Sequence, residues 1–187
     1  MPPAPPKDRV GMGHATGPMP LGITMDIPSA LEELTSIDHR ATALLRREHE
    51  AILGAFREYR DASRGTRETI GQQIAVLIEI HDRVERAVVY PALAPYYGPL
   101  IRAFLAEHEE ISSCIAVIRD TRNSAADALA SVERLEHLAR GHIGREESSL
   151  LAPVERDQPG LNARLYASIV AEKERLAGAV EDLESRS

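Results

Sequence analysis

The sequence predicts an all-α protein: an up-down-up-down antiparallel four-helix bundle with an additional C-terminal helix and a flexible N-terminal tail. Three observations predict it. Apolar residues recur at steps of three and four along four long segments. Short connections join those segments, and short connections force antiparallel neighbours. No segment alternates with the period of a strand, and no solenoid repeat is present. Composition agrees: hydrophobic residues make up 43% and aromatics 4%, with no Trp, so the core must be built from Leu, Ile, Val and Ala. At 187 residues the chain suffices for one domain with a sizeable core, plus tails.

Residues 1–28, rich in Pro, Gly and Met, show no sustained period and cannot bury enough surface to offset their ordering entropy, so they read as a flexible tail. The bundle is expected over 29–155. Its first helix, Ser36 to Asp61, carries Ile37, Leu44, Leu45, Ile52, Leu53 and Phe56 on one face, and Ser63, Gly65 and Thr66 supply stop and start signals. The second, Thr66 to Tyr90, places Ile70, Ile74, Leu77, Ile78, Val84 and Val88 on a stripe until Pro91 and Pro95 break it, leaving PALAPYYGP as a loop. The third, Leu100 to Arg122, carries Ile101, Phe104, Leu105, Ile111, Ile115 and Ile118 and ends at Asn123 and Ser124. The fourth, Ser124 to Ala152, carries Leu129, Val132, Leu135, Leu138 and Leu150, is weakened by Gly141 and Gly144, and stops before Pro153. Residues 156–187 contain an amphipathic segment, Leu161 to Leu183, that either caps the bundle or faces a partner, a second copy of the chain included.

A formal charge of −7 argues against nucleic-acid or anionic-membrane partners, which need a clustered basic face. No window reaches about eighteen uninterrupted apolar residues, the usual minimum for crossing a bilayer. The single cysteine, Cys114, cannot form an internal disulfide, and no secretory pattern opens the chain, so a cytoplasmic location is expected.

The chemistry lies in the histidines and acids that interrupt the apolar stripes: His49 on the first helix, His81 and Glu85 on the second, His108 on the third, His142 and Glu146 on the fourth. Along Ile74, Leu77, Ile78, His81, Glu85 and Val88 the steps are three and four, so His81 and Glu85 should face the core; the same holds for Leu135, Leu138, His142, Glu146 and Leu150. Six such groups in an apolar interior cost several kcal/mol each unless paired, and a bound cation removes the conflict. Each His-x-x-x-Glu pair sets an imidazole and a carboxylate about 6 Å apart along the axis, so the carboxylate can reach on to a second metal. Imidazole and carboxylate donors without a thiolate cluster point to iron, manganese or zinc, and two bridging acids favour a dinuclear redox metal.

These residues carry a resemblance. RREHEAI, HDRVERAVVYPAL, AEHEEI and HIGREESSLLAPV resemble, in order, the four helix signatures of the hemerythrin-like HHE family, over roughly Leu44 to Val154. The resemblance implies a di-iron centre, oxo- or hydroxo-bridged, with manganese or zinc as secondary occupants. Glu85 and Glu146 would bridge, His49 and His81 would bind one iron, and His108 and His142 the other. Many family members carry another histidine one turn before that of the third helix, where this chain has Phe104, so one iron loses a nitrogen ligand. An acid directly after the second-helix histidine is similar to the iron-sensing F-box hemerythrin domain, and makes Asp82, or a water, the candidate to complete that iron.

Other polar residues read as ordinary. His39 and His137 fall off the ligand faces and His14 lies in the tail; Glu50, Glu109 and Glu147 read as solvated flanks; Cys114 reads as a buried apolar residue; Tyr59, Tyr90, Tyr96 and Tyr97 read as packing at helix ends. Three roles follow from the resemblance: binding or turnover of O2, NO or hydrogen peroxide, with an electron-donor protein as partner where turnover occurs; non-catalytic iron or oxygen sensing or storage; and oxygenation of an organic substrate.

Overall fold

The computed structural model describes residues 38–120, 122 and 124–184, and every regular element among them is helical. The expected tail, with His14, and the expected helix start at Ser36 and Ile37 lie outside the described residues. Helix α1 (Ala41–Asp61) is followed by α2 (Arg64–Val84), which passes through one π-helical turn (Glu85–Val89) into α3 (Tyr90–Arg119). Helix α4 (Ala125–Glu146) starts at Ser124, whose side chain accepts from the Asp127 backbone N–H. It continues through a second π turn (Glu147–Leu151) into the short α5 (Ala152–Asp157), and α6 (Pro159–Glu184) closes the chain. Helices α1 to α4 form the antiparallel bundle.

Two expectations are corrected. PALAPYYGP is not a loop but the first turns of α3, bent at Tyr97 (φ −129°, ψ 24°). The fourth helix does not stop before Pro153 but runs through it to Asp157. The physical reason is shared. Pro91 and Pro153 each sit two residues beyond a π turn, where a widened ladder accommodates a ring and a missing donor that would break a regular α-helix. Pro95 and Pro99 remove two more donors, and the bend at Tyr97 lies between them.

The core falls into two apolar clusters along the bundle axis. One, at the end bearing the π turns, contains Leu44, Leu45, Tyr90, Leu93, Phe104, Leu150, Leu151 and Ile169. The other contains Ile52, Phe56, Ile74, Ile78, Ile115 and Leu135. Each such side chain contributes about 1.5–3 kcal/mol on burial. In α1, α2 and α3 the buried histidine lies in sequence between residues of the first cluster and those of the second, and in α4 His142 lies between Ala139 and Ile143 of the second.

Helix α6 packs on the bundle rather than standing apart. Ile169 is fully buried, and Asn162 and Thr42 exchange two buried hydrogen bonds: the Thr42 backbone N–H donates to Asn162 Oδ1 (3.0 Å), and Asn162 Nδ2 donates to Thr42 Oγ1 (2.9 Å). Among the described residues no helix is long and apolar enough to cross a membrane.

Candidate metal centre

Because α1 to α4 each turn one apolar stripe inward, the polar residues interrupting those stripes meet. His49, His81, His108, His142, Glu85 and Glu146 are all buried, the two carboxylates completely. They form two groups sharing Glu85: His49, His81, Glu85 and Glu146, and Glu85, His108 and His142. His49 Nε2 stands 3.2 Å from Glu146 Oε2, and His81 Nε2 stands 3.2 Å from Glu85 Oε1. His108 Nε2 lies 3.3 Å from Glu85 Oε2, with His142 Nε2 at 4.0 Å from the same oxygen. Glu85 thus faces both groups, whereas Glu146 converges on the first.

The outer nitrogen of every ring is held by an acid from another helix. His49 Nδ1 donates to Glu147 (2.9 Å), His81 Nδ1 to Glu48 (2.9 Å) and His142 Nδ1 to Glu107 (2.9 Å), while His108 Nδ1 meets Asp82 in an ion-pair contact without hydrogen-bond geometry. The acids run in a ring: α1 supplies the acid for the histidine of α2, α2 for α3, α3 for α4, and the turn after α4 for α1. A carboxylate only accepts, so each Nδ1 carries the proton and each Nε2 points its lone pair inward.

That arrangement tests whether a metal fits. His49 Nε2 and His81 Nε2 approach to 3.2 Å, and His108 Nε2 and His142 Nε2 to 3.0 Å, so lone pair faces lone pair in both pairs. Glu85 Oε1 and both oxygens of Glu146 are buried without a hydrogen-bond donor; the 3.2 Å approach of His49 to Glu146 is a close contact without hydrogen-bond geometry. Buried acceptors facing one another are tolerable only around a cation. Without a metal, protons take that place. At His81 burial opposes a proton, but Glu85 and Glu48 outweigh it and hold the imidazolium well above its usual range. Burial, reinforced by the charge of Glu85, raises Glu146 to about 7. Burial, reinforced by His108 and His81 against the pull of Glu85, lowers His142 to about 4.

Asp82 is not among the converging atoms. Its Oδ1 meets His108 Nδ1 and accepts from Arg86 Nε (2.7 Å), on the side of the His108 ring away from the converging Nε2 atoms. The inward position near His108 holds Tyr90, which the sequence reading assigned to packing. Its hydroxyl lies 3.2 Å from both Glu85 Oε2 and His108 Nε2, and burial with the charges of Glu85 and Glu146 keeps it a phenol. Phe104 stacks near Tyr90 and meets His142 edge-on, with ring centroids 5.3 Å apart. Glu147, read as a solvated flank, is instead the partner of His49, and Glu48 and Glu107 were missed. The available signal was an acid next to a ligand position on every helix. His39 and His137 are exposed and Cys114 is buried, as expected.

Beside the cluster lies a cavity of about 20 Å³, bounded by His81, Asp82, His108 and His142 and by the apolar Ile52, Ile78, Ile111, Ala139 and Ile143.

A family model, the hemerythrin HHE cation binding domain, matches residues 40–154. The chain belongs to the hemerythrin HHE family. The matched segment contains all six converging residues and the ring of acids around them, and its end coincides with α5, leaving α6 outside the match. A hemerythrin-like metal-binding bundle therefore accounts for both the match and the buried donors. No curated protein and no solved structure matches the chain.

Proposed function

We propose that this hemerythrin-like protein holds two iron ions, with Glu85 shared, His49, His81 and Glu146 on one and His108 and His142 on the other, and binds a small oxidant there: O2, NO or hydrogen peroxide. The observation that carries the reading is the cavity. About 20 Å³ accommodates a water or a molecule of two heavy atoms, whereas pockets for organic ligands run to about 300–1,000 Å³. Oxygenation of an organic substrate is accordingly the weakest of the three roles. Bound iron supplies reversible electron transfer and Lewis acidity. The chain itself orients the four imidazoles through Glu48, Asp82, Glu107 and Glu147, excludes water with isoleucines, and keeps a protonated hydroxyl, that of Tyr90, beside Glu85 and His108. A sensory role is the second reading, favoured by a contact between α6 and the centre.

The test is to load the protein with Fe2+ anaerobically and mix it with each oxidant while following the optical spectrum. Binding or consumption of at least one is expected. Ala139→Leu, which fills the cavity without replacing a donor, should keep the metal content and slow the reaction by about tenfold, roughly 1.4 kcal/mol. A loaded protein inert to all three overturns the proposal.

A further inference from the structure

Each of the four acids that hold a histidine is itself backed by a cation. Glu147 meets Arg46 (3.0 Å), Asp82 meets Arg86 (2.7 Å), Glu107 meets Arg145 (2.9 Å), and Glu48 meets Lys173 (2.5 Å). Three of these cations are arginines on α1, on the π turn after α2 and on α4, with side chains 31%, 31% and 56% exposed. The fourth differs in two respects. Lys173 is 9% exposed and its partner Glu48 8%, and Lys173 comes from α6, beyond the segment that the family model matches.

Solvent can replace an exposed arginine but not a buried lysine. Were the Lys173 charge removed with α6 still docked, Glu48 would keep a buried charge with only His81 to answer it. With Lys173 in place, Glu48 Oε1 is neutralised and Oε2 is left to orient His81 Nδ1. The same helix is latched to α1 at its other end by the Thr42–Asn162 pair, and its Ile169 is buried between the two contacts in sequence.

We infer that Lys173 is a positioning residue of the metal centre and that docking of α6 and metal binding beside His49 and His81 are coupled through the chain Lys173–Glu48–His81. Coupling is reciprocal, so whatever factor docked α6 adds to metal affinity, bound metal adds to docking of α6. This is a route by which the occupancy of a buried centre reaches the surface. It rests on metal binding by the cluster and not on the oxidant.

The test is anaerobic Fe2+ binding by the full chain in competition with a chelator. Lys173→Met should weaken one of two binding steps by about 10–100-fold, the range for loss of an outer partner, while the other step stays unchanged. Lys173→Arg should restore it, which a purely packing role would not require, and Arg145→Met, which removes an exposed cation that solvent replaces, should leave both steps nearly unchanged. Hydrogen exchange on the unaltered protein gives a second readout that survives misfolding of any variant: Fe2+ should increase protection of amides 165–176 more than that of amides 66–76 in α2. Wild-type affinity of Lys173→Met at both steps, or equal gains in protection in the two segments, overturns the coupling. Absence of any Fe2+ binding by the wild type would instead overturn the metal-binding reading beneath it.

Discussion

His49 and His81 meet two carboxylates, Glu85 and Glu146, whereas His108 and His142 meet one, Glu85, together with the Tyr90 hydroxyl. Both halves follow the same rule outside the ring of donors: an acid on each Nδ1 and a cation on each acid. They differ in what faces inward and in the buried lysine behind Glu48. Phe104, one turn before His108, brings an apolar ring where a donor would stand, and Tyr90 brings a hydroxyl that is held protonated. The first half is thus rich in anionic donors and backed by a buried lysine. The second is donor-poor and lies, through both His108 and His142, against the cavity.

The largest expected effect is that of metal on stability. With metal at about a thousand times its dissociation constant, binding contributes about 4 kcal/mol, and at roughly 2–4 °C per kcal/mol for a domain of this size, stripping should lower the melting temperature by on the order of 10 °C in calorimetry. Chelator titration should do this in two steps, the donor-poor half emptying first. A single step would break the comparison.

Next is Glu85, the one carboxylate facing both halves. Glu85→Ala should weaken both binding steps by more than about 100-fold, beyond what loss of an outer carboxylate costs, whereas Glu146→Ala should weaken mainly one. Metal analysis after gel filtration would read the difference, and equal losses would show Glu146 to be shared as well.

Acidification separates the halves in the opposite sense. In the metal-free protein His81 holds a proton well above its usual range and Glu146 titrates near 7, so both protons compete with metal in the first half as pH falls. His142, lowered to about 4, carries none to displace above that pH. Affinity at the first half should therefore fall by about tenfold per pH unit for each proton displaced, from pH 7 downward, while the second declines less. Parallel pH profiles would sink the assignment.

The smallest effect is expected from Tyr90→Phe. Removing the hydroxyl frees the inward position beside His108, so azide should bind the loaded protein up to about tenfold more tightly, roughly 1.4 kcal/mol, with metal content unchanged. Weaker azide binding would instead make the hydroxyl a donor to the bound anion.

Much of this centre was legible because a helix repeats every three to four residues: His81 with Glu85 and His142 with Glu146 interrupt apolar stripes, and their inward direction follows from spacing alone. Glu48, Glu107 and Asp82 escaped the same reasoning. Each adjoins a histidine in sequence but serves one on the next helix, and a period within one helix says nothing about reach across a gap. Pro91 and Pro153 misled for a related reason. Proline in a regular α-helix signals an end, yet a π turn before each lets the helix continue, and nothing local announces that turn.

By itself the sequence determined which faces are apolar, that the fold is an all-α bundle, and that imidazoles and carboxylates must enter the core, since these follow from periodicity and from the cost of burying charge. Tertiary structure decided which acid holds which histidine, that Tyr90 and not Asp82 stands inside, and that Lys173 reaches Glu48 from 125 positions away in the chain. Those outcomes depend on distances between helices, which packing sets and which no spacing along one helix encodes.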